Sequence, residues 1–412
     1  MIAYLVAGLG FGDEGKGSTV DTLCRWTGAK WVVRYNGGPQ CGHNVVTDDG
    51  RHHVFSQFTS GSFIPGVHSY LSRFMLIEPY ALFNEAEVLG QILGENPINH
   101  VTVEEGCPII TPFHWLTNRA KEVARSDRHG SCGFGVGELR SDETEGRSVL
   151  KVRDLANRTK VHQYLSALKQ DRHIVVERLF KQTGKSSVLK YLQAIITEDI
   201  GAIIAKYDQF VNTVAIVPDD SLCHIKGPVV FEGAQGMLLD ENHGFPPYYT
   251  WTDISFNNAY KLIPYNAADI FKIGVLRTYH TRHGAGPFPT EDPTMKFPDH
   301  NCTNDWQGNF RFGNFDLLLA KYALKCIGGV DALALNHLDQ VPIINCVDTY
   351  KVDGQTVREI NGPDTDLLAK AVAGPVTQID PMELFLLLGT PILVKSYGVA
   401  AKNKLNLAAV AK

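Results

Sequence analysis

Hydrophobic positions in this chain come as short, often β-branched runs: Ile2-Ala3-Tyr4-Leu5-Val6-Ala7, Trp31-Val32-Val33-Arg34-Tyr35, Pro228-Val229-Val230-Phe231, Phe271 to Leu276, Ala332-Leu333-Ala334-Leu335 and Pro391-Ile392-Leu393-Val394. Most are followed closely by Gly, Asn or Ser. Runs of this length, buried on both faces and separated by helical stretches, predict a mostly parallel central sheet covered by helices, an α/β fold. Helical periodicity is clearest over Trp115 to Arg125 and over Phe315 to Ile327, where Leu318, Leu319, Tyr322, Ala323 and Cys326 fall on one side. These stripes read as core packing. In such a fold the chemistry belongs at the carboxyl edge of the sheet, where the strands end.

Composition changes this picture little. The 412 residues are 44% apolar and 20% charged, ordinary for soluble globular protein. No internal repeat, low-complexity tract or Pro/Ser linker interrupts them, so residues 1–412 are expected to form a single large domain with inserted loops. The formal net charge of -5 contains no block of like charge, which argues against a nucleic-acid partner. With no apolar run of membrane-span length and no leader-like N-terminus, a cytoplasmic protein without a membrane partner is expected. The eight cysteines are scattered without a C-x-x-C pair, against a disulfide framework or a structural zinc site. Only Cys41 and Cys132 lie inside Gly-rich segments that a ligand could reach.

The segment Gly8 to Ser18, GLGFGDEGKGS, follows the first apolar run and can be parsed in two ways. From Gly10 it reads G-x-G-x-x-G, the dinucleotide fingerprint, and also G-x-x-x-x-G-K-G, a P-loop whose Ser/Thr has become Gly17. A dinucleotide fold wants a carboxylate at the end of the second strand. Here that strand runs into Tyr35-Asn36-Gly37-Gly38, with no carboxylate until Asp48. Lys16 between Gly15 and Gly17 suits phosphate better, because backbone N–H groups converge on the anion and the lysine adds a point charge. With the magnesium-holding hydroxyl missing, the carboxylates of Asp13 and Glu14 become candidates for that work.

Six segments sharpen the reading: GFGDEGKG (10–17), NGGPQCGHNVV (36–46), GSCGFGVG (130–137), FEGAQGMLLD (231–240), TRHGAGPFPTE (281–291) and NHLD (336–339). Together, and in this order, they resemble the adenylosuccinate synthetase family across nearly the whole chain. The resemblance implies a ligase that couples L-aspartate to C6 of a purine nucleoside monophosphate, driven by an NTP with Mg²⁺, and a homodimer of one α/β domain. By resemblance, Asp13 is the base that takes the N1 proton, His43 the acid at the transferred phosphoryl group, and Gln235 a purine contact. Gly12, Gly15, Lys16, Gly17, Asn44, Asp339, Ser396 and Gly398 would hold the NTP. Asn36, Gln40, Ser131, Cys132, Gln235 and Thr250 would hold the purine monophosphate, Arg311 the aspartate, and Asp13 with the Gly42 carbonyl the metal.

The departures from the family pattern cluster on substrate contacts. Pro39-Gln40 and Asn44 flank the catalytic Gly-His, the phosphate-binding Thr-Thr pair is Ser131-Cys132, and an expected serine is Trp251. Arg140 and Arg147 are candidates for an arginine given to the partner subunit. Where the family carries a run of arginines, this chain reads DWQGNFRFGNFD (305–316) and keeps only Arg311. A lone guanidinium can fork onto only one of the two carboxylates of aspartate. The base-reading Lys-x-Asp appears as His337-Leu338-Asp339, which leaves both GTP and ATP admissible. These losses are similar in kind to the viral branch of the family that makes 2-aminoadenylosuccinate from deoxyguanylate, although the best-known members of that branch replace the catalytic aspartate that this chain keeps as Asp13. Inosine monophosphate is placed first as acceptor, with dGMP or GMP as the alternative. A nucleotide-binding regulator that has lost ligation is the reading from another class.

Overall fold

The computed structural model describes residues 1–126, 131–267, 269–299, 301, 306 and 308–407. Of the positions singled out above, Gly130, Cys302, Asp305 and Gln307 lie outside the described residues.

Ten strands make the main sheet: β1 (Ile2–Gly8), β2 (Trp31–Arg34), β3 (His68–Leu71), β4 (Val101–Glu104), β5 (Ala215–Val217), β6 (Pro228–Gly236), β7 (Asp269–Arg277), β8 (Ala332–Asn336), β9 (Ile392–Ser396) and β10 (Lys404–Asn406). Their spatial order is β10-β9-β8-β7-β1-β6-β2-β3-β4-β5. All neighbours run parallel except the edge pair β9 and β10. Every apolar run named above is a strand of this sheet. Strands β3, β4, β5 and β10 are only three or four residues long, too short to print a periodicity.

Alternation along the central strands fills two cores. Leu5, Val33, Phe231, Leu276 and Leu335 enter one. Val6, Val32, Val230, Val275 and Ala334 enter the other, against Val20, Leu23 and Cys24 of helix α1 (Lys16–Thr27). Helices Pro112–Ala124, Arg158–Thr183, Ser186–Thr197 and Ile200–Thr213 form a third core with Leu71, Val101 and Val103 at the β3–β4 end. The helix expected over Trp115 to Arg125 begins earlier, with Pro112 in its first turn, where a missing N–H costs nothing. The one expected from Phe315 begins later, at Leu317. Phe315-Asp316 pairs with Cys346-Val347, and the Asp316 carboxylate caps the helix by accepting from Leu319 N at 3.0 Å. Among the described residues no helix is long and apolar enough to cross a membrane.

Because the strands run parallel, Gly8, Arg34, Gly236, Arg277, Asn336 and the end of β9 at Ser396 open on one edge. The loops that follow them build the site.

Candidate active site

A cavity of about 1100 Å³ lies along that edge, lined by these strand-end loops and by residues between Asn118 and Ser141. The loop between β1 and α1 is shaped from inside by Glu14, which is 3% exposed. Its Oε1 accepts from Gly10 N at 2.9 Å and Gly12 N at 2.8 Å, and its Oε2 accepts from Lys16 Nζ at 2.6 Å. Glu14 therefore organises the loop, and both its oxygens are engaged away from any metal. Gly15 takes φ 95°, and the Asn336 amide donates to the Glu14 carbonyl at 2.8 Å, so a Cβ on Gly15 would stand 2.7 Å from that amide nitrogen. At Gly17 a Cβ would come within 2.9 Å of both His43 Cβ and Asn44 O. The loop carrying His43 thus occupies the space where a P-loop keeps its hydroxyl. Glu14→Gln leaves the buried Lys16 ammonium without its anion, and urea unfolding should show a loss of about 3–5 kcal/mol. An unchanged midpoint would remove this role for Glu14.

Asp13 is the next residue back, held at φ 62°. Burial raises its carboxyl pKa above the ordinary aspartate value, and the nearby charges of Arg277 and Lys16 offset that only in part. Gln235 at φ 62° and His337 at φ 66° are also non-glycine residues in the left-handed region at strand ends. Each costs on the order of 1–3 kcal/mol, strain of the kind found where side chains are aimed at a ligand.

His43 packs against the first turn of α1 at Gly17. Its Nδ1 and Glu232 Oε1, on β6, are 2.5 Å apart, and Glu232 also accepts from the Ser60 hydroxyl and from Ser60 N at 3.0 Å. Burial alone would raise the Glu232 carboxyl; hydrogen bonds from His43 and Ser60, with the charge of Arg34 beside it, outweigh burial and hold it at about 2. Burial pushes the His43 imidazole down to about 4. The ring is therefore neutral near pH 7, its Nδ1–H given to Glu232 and its Nε2 lone pair buried without a partner.

After β8, Asp339 is exposed on the cavity wall, while burial, followed by the Arg277 charge, pushes His337 down to about 3. Ser396 Oγ donates to Gly398 O at 2.9 Å and accepts from Lys404 Nζ at 2.7 Å. Near Asn118, whose Oδ1 accepts from Ser131 Oγ at 3.0 Å, burial pushes the Cys132 thiol up to about 12 and leaves it uncharged.

Gly12, Asp13, Gly15, Lys16, Gly17, Gln40, Gly42, His43, Asn44, Ser131, Cys132, Gln235, Thr250, Asp339, Ser396 and Gly398 all line this one cavity. Two expected site residues do not. Asn36 is fully buried, and its amide joins two loops, accepting from Ala234 N at 2.7 Å and donating to Asp253 O at 3.0 Å. Arg311 donates to Glu291 at 2.7 Å and to Gly286 O at 2.8 Å, outside the cavity wall. Arg140 and Arg147, the candidates for an arginine given to the partner subunit, are bonded to Glu143 and to Asp142, Glu145 and Asp171. Sequence reasoning assigned no role to Glu232 or Arg277. Glu232 was legible as the carboxylate inside FEGAQG, whereas Arg277 sits in none of the six segments.

Among the described residues there is no group of three or more His, Cys, Asp and Glu that could cage a metal. The Asp13 carboxylate and the Gly42 carbonyl are hard oxygen donors on the wall beside the phosphate loop. That sparse set fits Mg²⁺, which keeps waters and takes substrate phosphates, and does not fit a structural zinc.

The family model described as adenylosuccinate synthetase matches residues 5–377. The adenylosuccinate synthetase of Psychromonas ingrahamii is 31% identical over 374 residues, 86% of this chain and 82% of the relative. That of a Cyanothece species is 31% identical over 372 residues, covering 86% and 79%. Among solved structures, fully ligated adenylosuccinate synthetase from Plasmodium falciparum superposes with a TM-score of 0.76 at 19% identity, over 98% of this chain and 99% of that one. The succinoaminodeoxyadenylate synthetase of cyanophage S-2L, bound to dGMP and dATP, superposes with a TM-score of 0.61 at 17% identity, over 98% and 95%.

Proposed function

The chain belongs to the adenylosuccinate synthetase family of carbon–nitrogen ligases, and from that premise we propose that it couples L-aspartate to C6 of inosine 5′-monophosphate, driven by GTP. The observation that carries this reading is one cavity in which a half-buried carboxylate, Asp13, and a carboxylate-held imidazole, His43, flank the lysine and amides of the phosphate loop.

A purine 6-oxo group leaves only once it is phosphorylated. Asp13, its basicity raised by burial, takes the proton from N1, and O6 attacks the γ-phosphorus while the nucleoside diphosphate departs. Lys16 and the amides at the start of α1 hold the phosphate oxygens. The unpartnered His43 Nε2 faces charge that grows on the phosphoryl group. As that anion forms, the ring takes a second proton from solvent at Nε2 and donates it as a hydrogen bond to a phosphoryl oxygen, and Glu232 stabilises the imidazolium through Nδ1. The amine of aspartate then adds to C6, and inorganic phosphate leaves with O6. Asp13 and the Gly42 carbonyl would hold Mg²⁺, whose charge would offset that of the phosphates. Asp339 keeps an acceptor for guanine N1–H and the 2-amino group, which supports GTP over ATP. A cytoplasmic homodimer belongs to the same proposal.

A second reading, with dGMP or GMP as acceptor, is favoured by one observation. The segment from Asp305 to Asp316, where the resemblance implies a run of arginines toward the aspartate and the nucleotide's ribose, keeps only Arg311. Mass spectrometry of products from L-aspartate, Mg²⁺ and a mixed NTP pool separates the two. Succinylated product from inosine monophosphate is the expected result, product from deoxyguanylate alone would give the second reading, and no product from any acceptor would move the weight to a regulator.

A further inference from the structure

The amine must reach C6 beside Asp13, yet Arg311, the cation left from the arginine run, is bonded to Glu291 and Gly286 outside the cavity wall. Another guanidinium does reach the wall. Arg277 closes β7, lines the cavity, and donates through Nε to the backbone carbonyl of Asp13 at 2.5 Å. Its Nη1 lies 2.7 Å from Asp299 Oδ2 and 3.2 Å from the Tyr279 hydroxyl. The side chains of Arg277 and Asp299 are 6% and 7% exposed, and both residues line the cavity. The rings of Tyr279 and Phe310 stand 5.5 and 5.8 Å from the guanidinium carbon. One ring of the NFRF segment, Phe310, thus packs against a cation that comes from a different strand.

A carboxylate already occupies one edge of this guanidinium, next to the base. We propose that Arg277 binds a carboxylate of the amine substrate, and that Asp299 fills that place until the substrate carboxylate replaces it; the inference rests on the ligase reading. The physical reason for a placeholder is burial. An Arg277 with no anion would be a desolvated, uncompensated charge, whereas exchanging one carboxylate for another keeps the ion pair throughout and releases Asp299 toward the cavity mouth. The Nε bond to Asp13 persists in both states and fixes the incoming amine relative to the base. Of the other cations on the wall, Lys121 is paired with Glu138 and Arg125 with Glu122, while Arg282 donates to Ala285 O and Pro287 O, keeps its Nη2 without a partner among the described residues, and makes no bond to Asp13.

The two partners of this ion pair should move one kinetic constant in opposite directions. Arg277→Met should raise the KM for L-aspartate roughly tenfold or more, the loss of one charge-assisted hydrogen bond, with the KM values for acceptor and NTP little changed. Its kcat falls as well, because the bond to Asp13 is lost. Asp299→Asn removes the internal competitor and should lower the KM for aspartate several-fold. A purely structural ion pair would send both variants the same way. An aspartate KM that rises or stays level in Asp299→Asn, or an Arg277→Met effect that falls on the NTP or acceptor KM, overturns the assignment. Should Arg277→Met fail to fold, Arg277→Lys, which cannot form the fork, carries the same expectation. Acceptor-dependent scrambling of bridging ¹⁸O in labelled NTP, measured without aspartate, reports phosphoryl transfer alone. Its absence in the unaltered enzyme overturns the ligase reading together with this one; its presence with an unmoved aspartate KM overturns only the role of Arg277.

Discussion

Asp13→Asn is expected to lower kcat by a factor of about 10²–10⁴, the range for removing a general base, while NTP binding and the circular dichroism spectrum persist. The expectation comes from the position of the residue. Asp13 is the carboxylate on the cavity wall next to the phosphate loop, since both oxygens of Glu14 are consumed by Gly10, Gly12 and Lys16. The asparagine is close in size and preserves the backbone carbonyl that Arg277 holds, and asparagine tolerates the left-handed φ of 62°. Folding should therefore survive and proton abstraction should not. A variant with full turnover would show that another group takes the N1 proton.

The second large effect belongs to Glu232→Gln. The His43 imidazole, pushed down to about 4 by burial, gains its second proton only when a phosphoryl anion stands at Nε2 and Glu232 supports Nδ1. Without that carboxylate the imidazolium is less stable. The alkaline limb of the kcat profile should then move to lower pH by about 1–3 units, and kcat at neutral pH should fall by roughly 10²-fold or more. Stability follows the same pair. Glu232, at about 2 when folded, lies below its ordinary value of 4.5, so its contribution is complete above that value and is lost as pH falls toward 2. His43, held below its ordinary 6.5, likewise favours the folded state less as pH falls from there toward 4. The unaltered protein should therefore lose stability on acidification in two overlapping steps, of which Glu232→Gln lacks the lower. Chemical denaturation at a series of pH values reads both, and an unaltered acid limb in the variant would contradict the assignment.

How far the sequence carries the account depends on distance along the chain. The strands and the Gly-rich loops were legible because burial on both faces writes itself locally as apolar runs ending in Gly, Asn or Ser, and the rule for parallel sheets then placed the site at their ends. The edge strands were not, since β5 and β10 span three residues each and their pairing is set by neighbours. Within the site, what was missed are pairings between distant segments. His43 and Glu232 are 189 residues apart, and Asn36 reaches Ala234 across 198. Asn36 looked like a ligand because it opens a Gly-rich loop, yet its amide is used to join that loop to the end of β6. Arg311 looked like the aspartate cation because it survives an arginine run. In the fold it is paired with Glu291 and does not line the cavity. Arg277 carried no motif at all, and only the parallel register of β7 beside β1 brings it under Asp13.

The central claim is that ligation passes through a purine phosphorylated at O6. It is tested most directly by turning the enzyme over on inosine monophosphate labelled with ¹⁸O at position 6 and weighing the inorganic phosphate released. The account predicts that the label appears in phosphate in step with succinylated product. Unlabelled phosphate, formed with water oxygen while product accumulates, would contradict it.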